Sequence, residues 1–119
     1  MDYALELRYQ TLLKRLNTDF DADMDMQGVL FLVGVEELGL GYREFKKQEK
    51  TDLMHVAVCT ILEQYGYYKF TGRDPENWPH FELIKDLPHL TDADQQVLMK
   101  EGLVEYFEFH GYSTKDVQI

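Results

Sequence analysis

The chain has 119 residues, of which 45% are hydrophobic and 29% are charged, and its formal net charge at pH 7 is −10. This balance is typical of one folded, soluble domain over residues 1–119 and excludes disorder along the whole chain, with a disordered tail expected only from about residue 113. The acidic charge disfavours binding to nucleic acid, and the longest strongly apolar run, Val29 to Val35, is too short to span a membrane.

Two helices are predicted with little ambiguity in the first half of the chain. Apolar residues recur at helical spacing over about residues 2–17, which predicts the first of them. The other is expected over about residues 47–65, where a wide apolar face ends at Gly66, a residue type that commonly ends helices.

Between them, a further helix is expected over about residues 25–38, although its apolar run Val29 to Val35 has two interpretations. The aspartates before this run and Gly39 after it favour a helix. The valine content and short length also fit a strand, and a strand would remove the argument for an acidic helix entrance. Within a helix, Gly28 and Gly34 would let another helix approach closely.

Aromatic and turn-forming residues change the pattern in the second half of the chain. Residues 67–71 and 80–85 are predicted to be the strands of one antiparallel hairpin, whose tip of roughly six residues has the turn sequence GRDPEN. Thr91 or Asp92 then caps a last helix that continues to about His110. The predicted fold class is α+β: mostly helical, with about four helices and the hairpin before the last one.

The stretch DFDADMDMQG, from Asp19 to Gly28, places four aspartates at every second position, as a calcium-binding loop would. Such a loop needs oxygen ligands at positions 1, 3 and 5, glycine at position 6 and glutamate at position 12. Registers that begin at Asp19 or Asp21 put methionine at position 6, and the register that begins at Asp23 puts Gly34 at position 12. We therefore expect no calcium and interpret the aspartates as an acidic, capped entrance to a helix.

Asp52, His55 and Cys59 lie three and four positions apart, so all three can share one face of a helix. Carboxylate, imidazole and thiolate groups are all zinc ligands, which makes a metal-dependent enzyme or a metal sensor one hypothesis. The alternative is structural, with Cys59 in the core and His55 as a half-buried polar group whose hydrogen bonds are satisfied. We prefer this alternative, and we expect no metal and no other cofactor.

Trp78, Pro79, His80 and His89 cluster around the predicted hairpin. An exposed tryptophan beside proline and histidine suits protein binding, because aromatic residues dominate the energetics of interfaces. Trp78 can equally fold back over the core. Since no complete catalytic constellation is visible, we predict a non-enzymatic interaction or accessory module that binds a protein partner or a second copy of itself. An acidic decoy for nucleic-acid-binding proteins is a further hypothesis.

The compartment is predicted from the single cysteine and from the first residues of the chain. Cys59 can form no internal disulfide, and its apolar surroundings suggest a buried thiol in a reducing compartment. The N-terminal residues lack the basic and apolar regions of a secretory signal. We therefore expect a cytoplasmic protein.

The stretches GVEELG, DLMH, YGYY and WPHFELIK together resemble a group of small bacterial proteins without an assigned activity. The resemblance extends over roughly residues 29–110. It implies a single small intracellular domain, and it implies no catalytic residues.

Overall fold

Four α-helices and one antiparallel hairpin form the part of the chain, residues 3–112, that a computed structural model describes. In chain order these elements are α1 (Tyr3–Asp19), α2 (Met26–Leu38), α3 (Lys47–Glu63), β1 (Tyr68–Arg73), β2 (Pro79–Leu83) and α4 (Asp92–Phe109). The predicted α+β class is confirmed, with the hairpin before the last helix. The run Val29 to Val35 lies inside α2, so its helical interpretation is also confirmed. The predicted disordered tail lies outside the described residues.

The contacts within the chain divide it into two units. Unit 1 holds α1 and α4 and combines the chain up to Asp25 with the chain from His89 onward. Unit 2 is the continuous segment Met26–Pro88, which holds α2, α3 and the hairpin. The expectation of one domain over the whole chain stays a prediction. Between residues 3 and 112, no helix is both long and apolar enough to cross a bilayer.

In unit 1, α1 packs against α4 through apolar side chains at helical spacing. The buried positions of α1 are Leu5, Tyr9, Leu12 and Leu16. Two ion pairs flank this contact: Arg8 lies 2.6 Å from Glu108, and Lys100 lies 2.8 Å from Glu6. The apolar stripe that predicted this helix is therefore the face that α1 buries.

The aspartate-rich stretch first serves to end α1. The N–H of Asp21 donates to the carbonyl of Thr18 at 3.4 Å, and the N–H of Ala22 donates to the carbonyl of Asn17 at 2.9 Å. Asp21 has a φ of 48°. This hydrogen-bond pattern is a Schellman helix end, with aspartate in the left-handed position that glycine usually occupies.

The segment that follows is held by Asn17. Its side chain accepts a hydrogen bond from the N–H of Met24 at 2.7 Å and donates to the carbonyl of Met24 at 3.3 Å. The expected acidic entrance is wrong for Asp19 and Asp21, because both belong to the C-terminal end of α1, where the helix dipole does not favour a negative charge. Among the four aspartates, Asp25 alone adjoins the first residue of α2.

Unit 2 has its closest helix contact at Gly34. A Cβ atom added to Gly34 would overlap the carbonyl group of Leu53 in α3. The expected close approach at Gly34 is therefore confirmed, because any side chain there would push the two helices apart. An apolar cluster surrounds Leu53, with Val35, Leu38 and Phe45 as its other buried members and Phe31 and Trp78 partly buried against it.

The hairpin packs on α3, and its turn is shorter than predicted. β1 extends to Arg73, which pairs with Pro79, so the tip contains only the five residues Asp74–Trp78. Asp74 closes this tip: its N–H donates to the carbonyl of Trp78 at 3.0 Å. An irregularity between Phe70 and Gly72 lets β1 accommodate an extra residue.

Candidate functional site

A cleft of about 730 Å³ opens in unit 2 between the N-terminal part of α3 and the hairpin. The first wall comes from α3, where Glu49, Asp52 and His55 follow one another at helical spacing. The second wall comes from the tip of the hairpin and from the beginning of β2. This cleft contains three of the four residues that the sequence indicated for partner binding.

Those three residues, Trp78, Pro79 and His80, all line the cleft. Trp78 is half-buried, because it also packs against the apolar cluster of unit 2. Its two interpretations are therefore compatible, since it both covers the core and lines the cleft. Pro79 is buried and His80 is exposed. His89 is exposed, belongs to unit 1 and is not among the lining residues.

Asp74 organises the hairpin wall through three hydrogen bonds. Its Oδ1 accepts from the N–H of Glu76 at 2.9 Å and from the N–H of Trp78 at 3.0 Å. Its Oδ2 accepts from Nε2 of His80 at 3.0 Å. The hydrogen bond from His80, followed by that from Trp78, holds the pKa of Asp74 below its usual value. One carboxylate thus fixes the turn and orients His80.

Two carboxylates on the α3 wall have different surroundings. The carboxylate of Glu49 binds two neighbouring groups: it pairs with Arg43 at 2.9 Å and accepts a hydrogen bond from the N–H of Lys46 at 2.9 Å. This arrangement begins α3, with Glu49 near the positive end of the helix dipole. Asp52 accepts one hydrogen bond from the uncharged amide of Gln48 at 3.0 Å and is exposed.

Three carboxylates of the cleft therefore lack a cationic partner from lysine or arginine. Within residues 3–112, no lysine or arginine nitrogen lies within 4.0 Å of Asp52, Asp74 or Glu76. The described lining also contains no lysine or arginine, while Trp78 and Phe81 supply aromatic surface. The cleft is a negatively charged, partly aromatic surface that suits a cation.

The structure does not bring Asp52, His55 and Cys59 into one ligand set. Over the described range, no group of three or more histidine, cysteine, aspartate or glutamate side chains could hold a metal ion. Cys59 is fully buried, with its Sγ 3.5 Å from Nε2 of His55, and burial raises the pKa of its thiol to about 11. His55 is exposed rather than half-buried, and its ring meets the edge of Tyr68. The helix thus turns Cys59 to the core and leaves Asp52 in water.

The role of Asp74 and Glu76 in the cleft was not anticipated from the sequence. Their stretch, GRDPEN, predicts only a turn, and the structure confirms this for the residues from Asp74 to Asn77, whereas Gly72 and Arg73 belong to β1. The remaining signal was the density of acidic residues around Trp78, which is the only tryptophan of the chain. The sequence around Trp78 does not show that α3 brings Asp52 to the same cleft as Asp74 and Glu76.

No protein family, curated protein or solved structure matches this chain. The resemblance to small bacterial proteins accordingly stays an interpretation of the sequence. The geometry and the charge of the cleft are therefore the observations that bear on a function.

Proposed function

We propose that this protein is a non-enzymatic, cytoplasmic interaction module that binds a basic segment of a partner protein in the cleft between α3 and the hairpin. One observation carries the proposal: Asp52, Asp74 and Glu76 line one cleft without a lysine or arginine within 4.0 Å in the described structure. Lysine and arginine side chains of a partner would supply the missing positive charge.

Trp78 gives the cleft an anchor beside its charges. Its ring is held in place by the apolar cluster behind it, so little side-chain entropy is lost when a ligand packs against it. Tryptophan is also the aromatic residue that binds cations best, and it is enriched among the residues that dominate binding energy. The cleft therefore combines apolar and electrostatic attraction for the stem and the charged end of a lysine or arginine.

The acidic-decoy hypothesis requires the same chemistry, because a nucleic-acid-binding protein is one class of partner with a basic segment. No separate feature of the described residues favours it. The metal hypothesis has less support, since Asp52, His55 and Cys59 do not form a ligand set.

Fluorescence of Trp78 tests the proposal, because this residue is the only tryptophan and lies in the cleft. The whole chain would be titrated with a short, capped peptide in which lysine alternates with threonine. We expect a saturable change in emission that weakens as salt is added, since salt screens exposed charges. A matched peptide with glutamate in place of lysine should give no such change. The proposal fails if both peptides behave alike or if the lysine peptide gives no saturable change at low salt.

Substitutions at Trp78 and His80 separate binding from folding. Trp78→Ala and His80→Ala should weaken binding of the lysine peptide, measured by calorimetry, while circular dichroism shows the helices intact. Trp78→Phe is the matched control, since it keeps an aromatic ring against the apolar cluster. If the alanine variants bind the peptide normally, or lose binding only because they unfold, the two residues have no binding role.

A further inference from the structure

The two edges of the hairpin differ in how their backbone groups are satisfied. The N–H of Ile84 donates to the carbonyl of Tyr67 at 2.9 Å, so these two residues form a hydrogen-bonded pair between the strands. In an antiparallel ladder, such pairs alternate with pairs whose N–H and C=O groups point away from the neighbouring strand. Phe70, opposite Phe81, accordingly directs its backbone groups outward on the β1 side. There the N–H of Phe70 donates to the carboxylate of Glu63 at 2.7 Å. A side chain of α3 thus covers part of the β1 edge.

Among the described residues, no side chain covers the edge of β2 in this way. By the same alternation, Phe81 and Leu83 direct their N–H and C=O groups outward from β2. No hydrogen bond from another described residue reaches these groups. Leu83 as a whole residue is 49% exposed. An edge strand with free backbone groups is a template for one more strand.

This open edge borders the cleft. Phe81 is one of the residues that line the cleft, and it presents its backbone on the edge. The two least exposed residues of β2, Pro79 and Phe81, lie on one face of the hairpin, so this face is the one turned toward the cleft. In an antiparallel pair, residues directly opposite each other share one face of the sheet. A residue that pairs with Phe81 would therefore direct its side chain to the face on which the cleft lies, close to the unneutralised carboxylates. The next residue along the added strand would point away.

We propose that the basic segment binds as an additional antiparallel strand on β2, with a basic residue at every second position directed into the cleft. This inference rests on the proposed function and specifies its ligand: an extended peptide with alternating basic residues. A groove between a helix and a strand edge is a known arrangement for strand addition, in which backbone hydrogen bonds give affinity and alternate side chains give specificity.

The test uses the peptide of alternating lysine and threonine and two N-methylated forms of it. One form carries methyl groups on the lysine amides and the other on the threonine amides, so charge and side chains stay the same. In the proposed pairing, the lysines opposite Phe81 and Leu83 donate their N–H groups to β2. Methylation of the lysine amides should therefore weaken binding at least about tenfold, because two backbone hydrogen bonds are lost. Methylation of the threonine amides should leave the affinity nearly unchanged.

Amide exchange gives a second readout on the protein. The amides of Phe81 and Leu83 should exchange more slowly in the presence of the unmodified peptide. The strand proposal is overturned if the two methylated peptides bind equally or if only the threonine-methylated form loses affinity. It is also overturned if the single amino-acid derivative lysinamide binds as tightly as the peptide. In those cases, binding of the unmodified peptide would still support the cleft as the site that binds a basic segment. If the unmodified peptide does not bind, the proposed function itself fails.

Discussion

In unit 1 two carboxylates, Glu6 on α1 and Glu108 on α4, are paired with a lysine or an arginine, whereas in the described structure three carboxylates at the cleft of unit 2 have no such partner. Glu6 and Glu108 bind Lys100 and Arg8, and each pair joins one helix to the other. The hydrogen bond from Lys100, followed by that from Gln10, lowers the pKa of Glu6. These two ion pairs therefore contribute to the packing of α1 against α4.

Two of the cleft carboxylates, those of Asp52 and Glu76, have no comparable structural role as charges, whereas Asp74 holds the turn through its hydrogen bonds. Asp52 and Glu76 are exposed and have no lysine or arginine partner in the part of the chain that the structure describes. The contrast shows that the carboxylates of this acidic chain are neutralised to different extents, and in our proposal the group at the cleft is the one that a ligand neutralises.

The largest expected effect concerns the side of α3 that faces the core rather than the cleft. Because burial raises the pKa of Cys59 to about 11 from its usual 9.0, its thiolate fraction near neutral pH is lowered roughly 100-fold. Alkylation by iodoacetamide should be at least that much slower in the folded protein than in urea. The free energy that the neutral thiol contributes is present below the usual thiol pKa and is lost as pH rises toward about 11.

A matched control places the only thiol on the cleft side of the same helix. Thr51→Cys combined with Cys59→Ala should react almost as fast in the folded protein as in urea, because Thr51 is exposed and lines the cleft. Equal reactivity of Cys59 and the new cysteine would contradict the division of α3 into a core side and a cleft side.

The next largest effect concerns the packing that positions the α3 wall. Gly34→Ala should lower the free energy of unfolding by about 1–3 kcal/mol, because the added methyl group overlaps the carbonyl of Leu53. Intrinsic helix propensity alone predicts the opposite sign. Urea denaturation measures the difference. Gln27→Ala, at an exposed position of α2, is the control and should change stability little. A stabilised Gly34→Ala variant would show that α2 and α3 are not in close contact.

A smaller effect is expected from the turn that carries the second wall. Asp74→Ala should lower the melting temperature, because the N–H groups of Glu76 and Trp78 and the ring of His80 lose their acceptor. Since the pKa of Asp74 is lowered by folding, its contribution is complete above the usual aspartate pKa and is lost as pH falls through the lowered value. The difference from the unmodified protein should therefore shrink at acidic pH. Asp86→Ala, at an exposed position after β2, is the control and should change the melting temperature little.

The smallest effect compares single charges from the two groups of carboxylates. Glu6→Gln should cost about 0.2–1 kcal/mol of unfolding free energy, because the exposed pair with Lys100 is screened by water. Glu76→Gln should cost nothing or stabilise slightly, since it removes one of several like charges. Denaturation at low and high salt would measure both. A larger loss for Glu76→Gln than for Glu6→Gln would contradict the contrast between the two units.

The sequence predicted what depends on local patterns. The apolar spacing of α1, the helix end at Gly66 and the turn around Asp74 are each encoded within a few neighbouring residues. Asp21 escaped prediction because aspartate seldom adopts the left-handed conformation that ends α1. The acidic stretch was therefore assigned wholly to the beginning of α2.

The cleft could be predicted only in part. Trp78 and His80 drew attention because tryptophan and histidine are frequent in binding sites. Asp52 lies more than twenty residues earlier and joins them only because α3 packs beside the hairpin. Whether a lysine or an arginine lies beside a carboxylate depends on such long-range contacts. The numbers of acidic and basic residues in the sequence therefore do not distinguish Glu6, which has such a partner, from Glu76.

The most direct test of the central claim compares two double variants in their affinity for the lysine–threonine peptide. Asp52→Asn with Glu76→Gln removes two charges from the cleft, whereas Glu6→Gln with Glu108→Gln removes two charges from the α1–α4 pair, so both variants change the net charge equally. We predict a several-fold loss of affinity at low salt for the cleft variant and almost none for the other. Equal losses would mean that the peptide responds to net charge alone and would contradict the assignment of the cleft as the binding site.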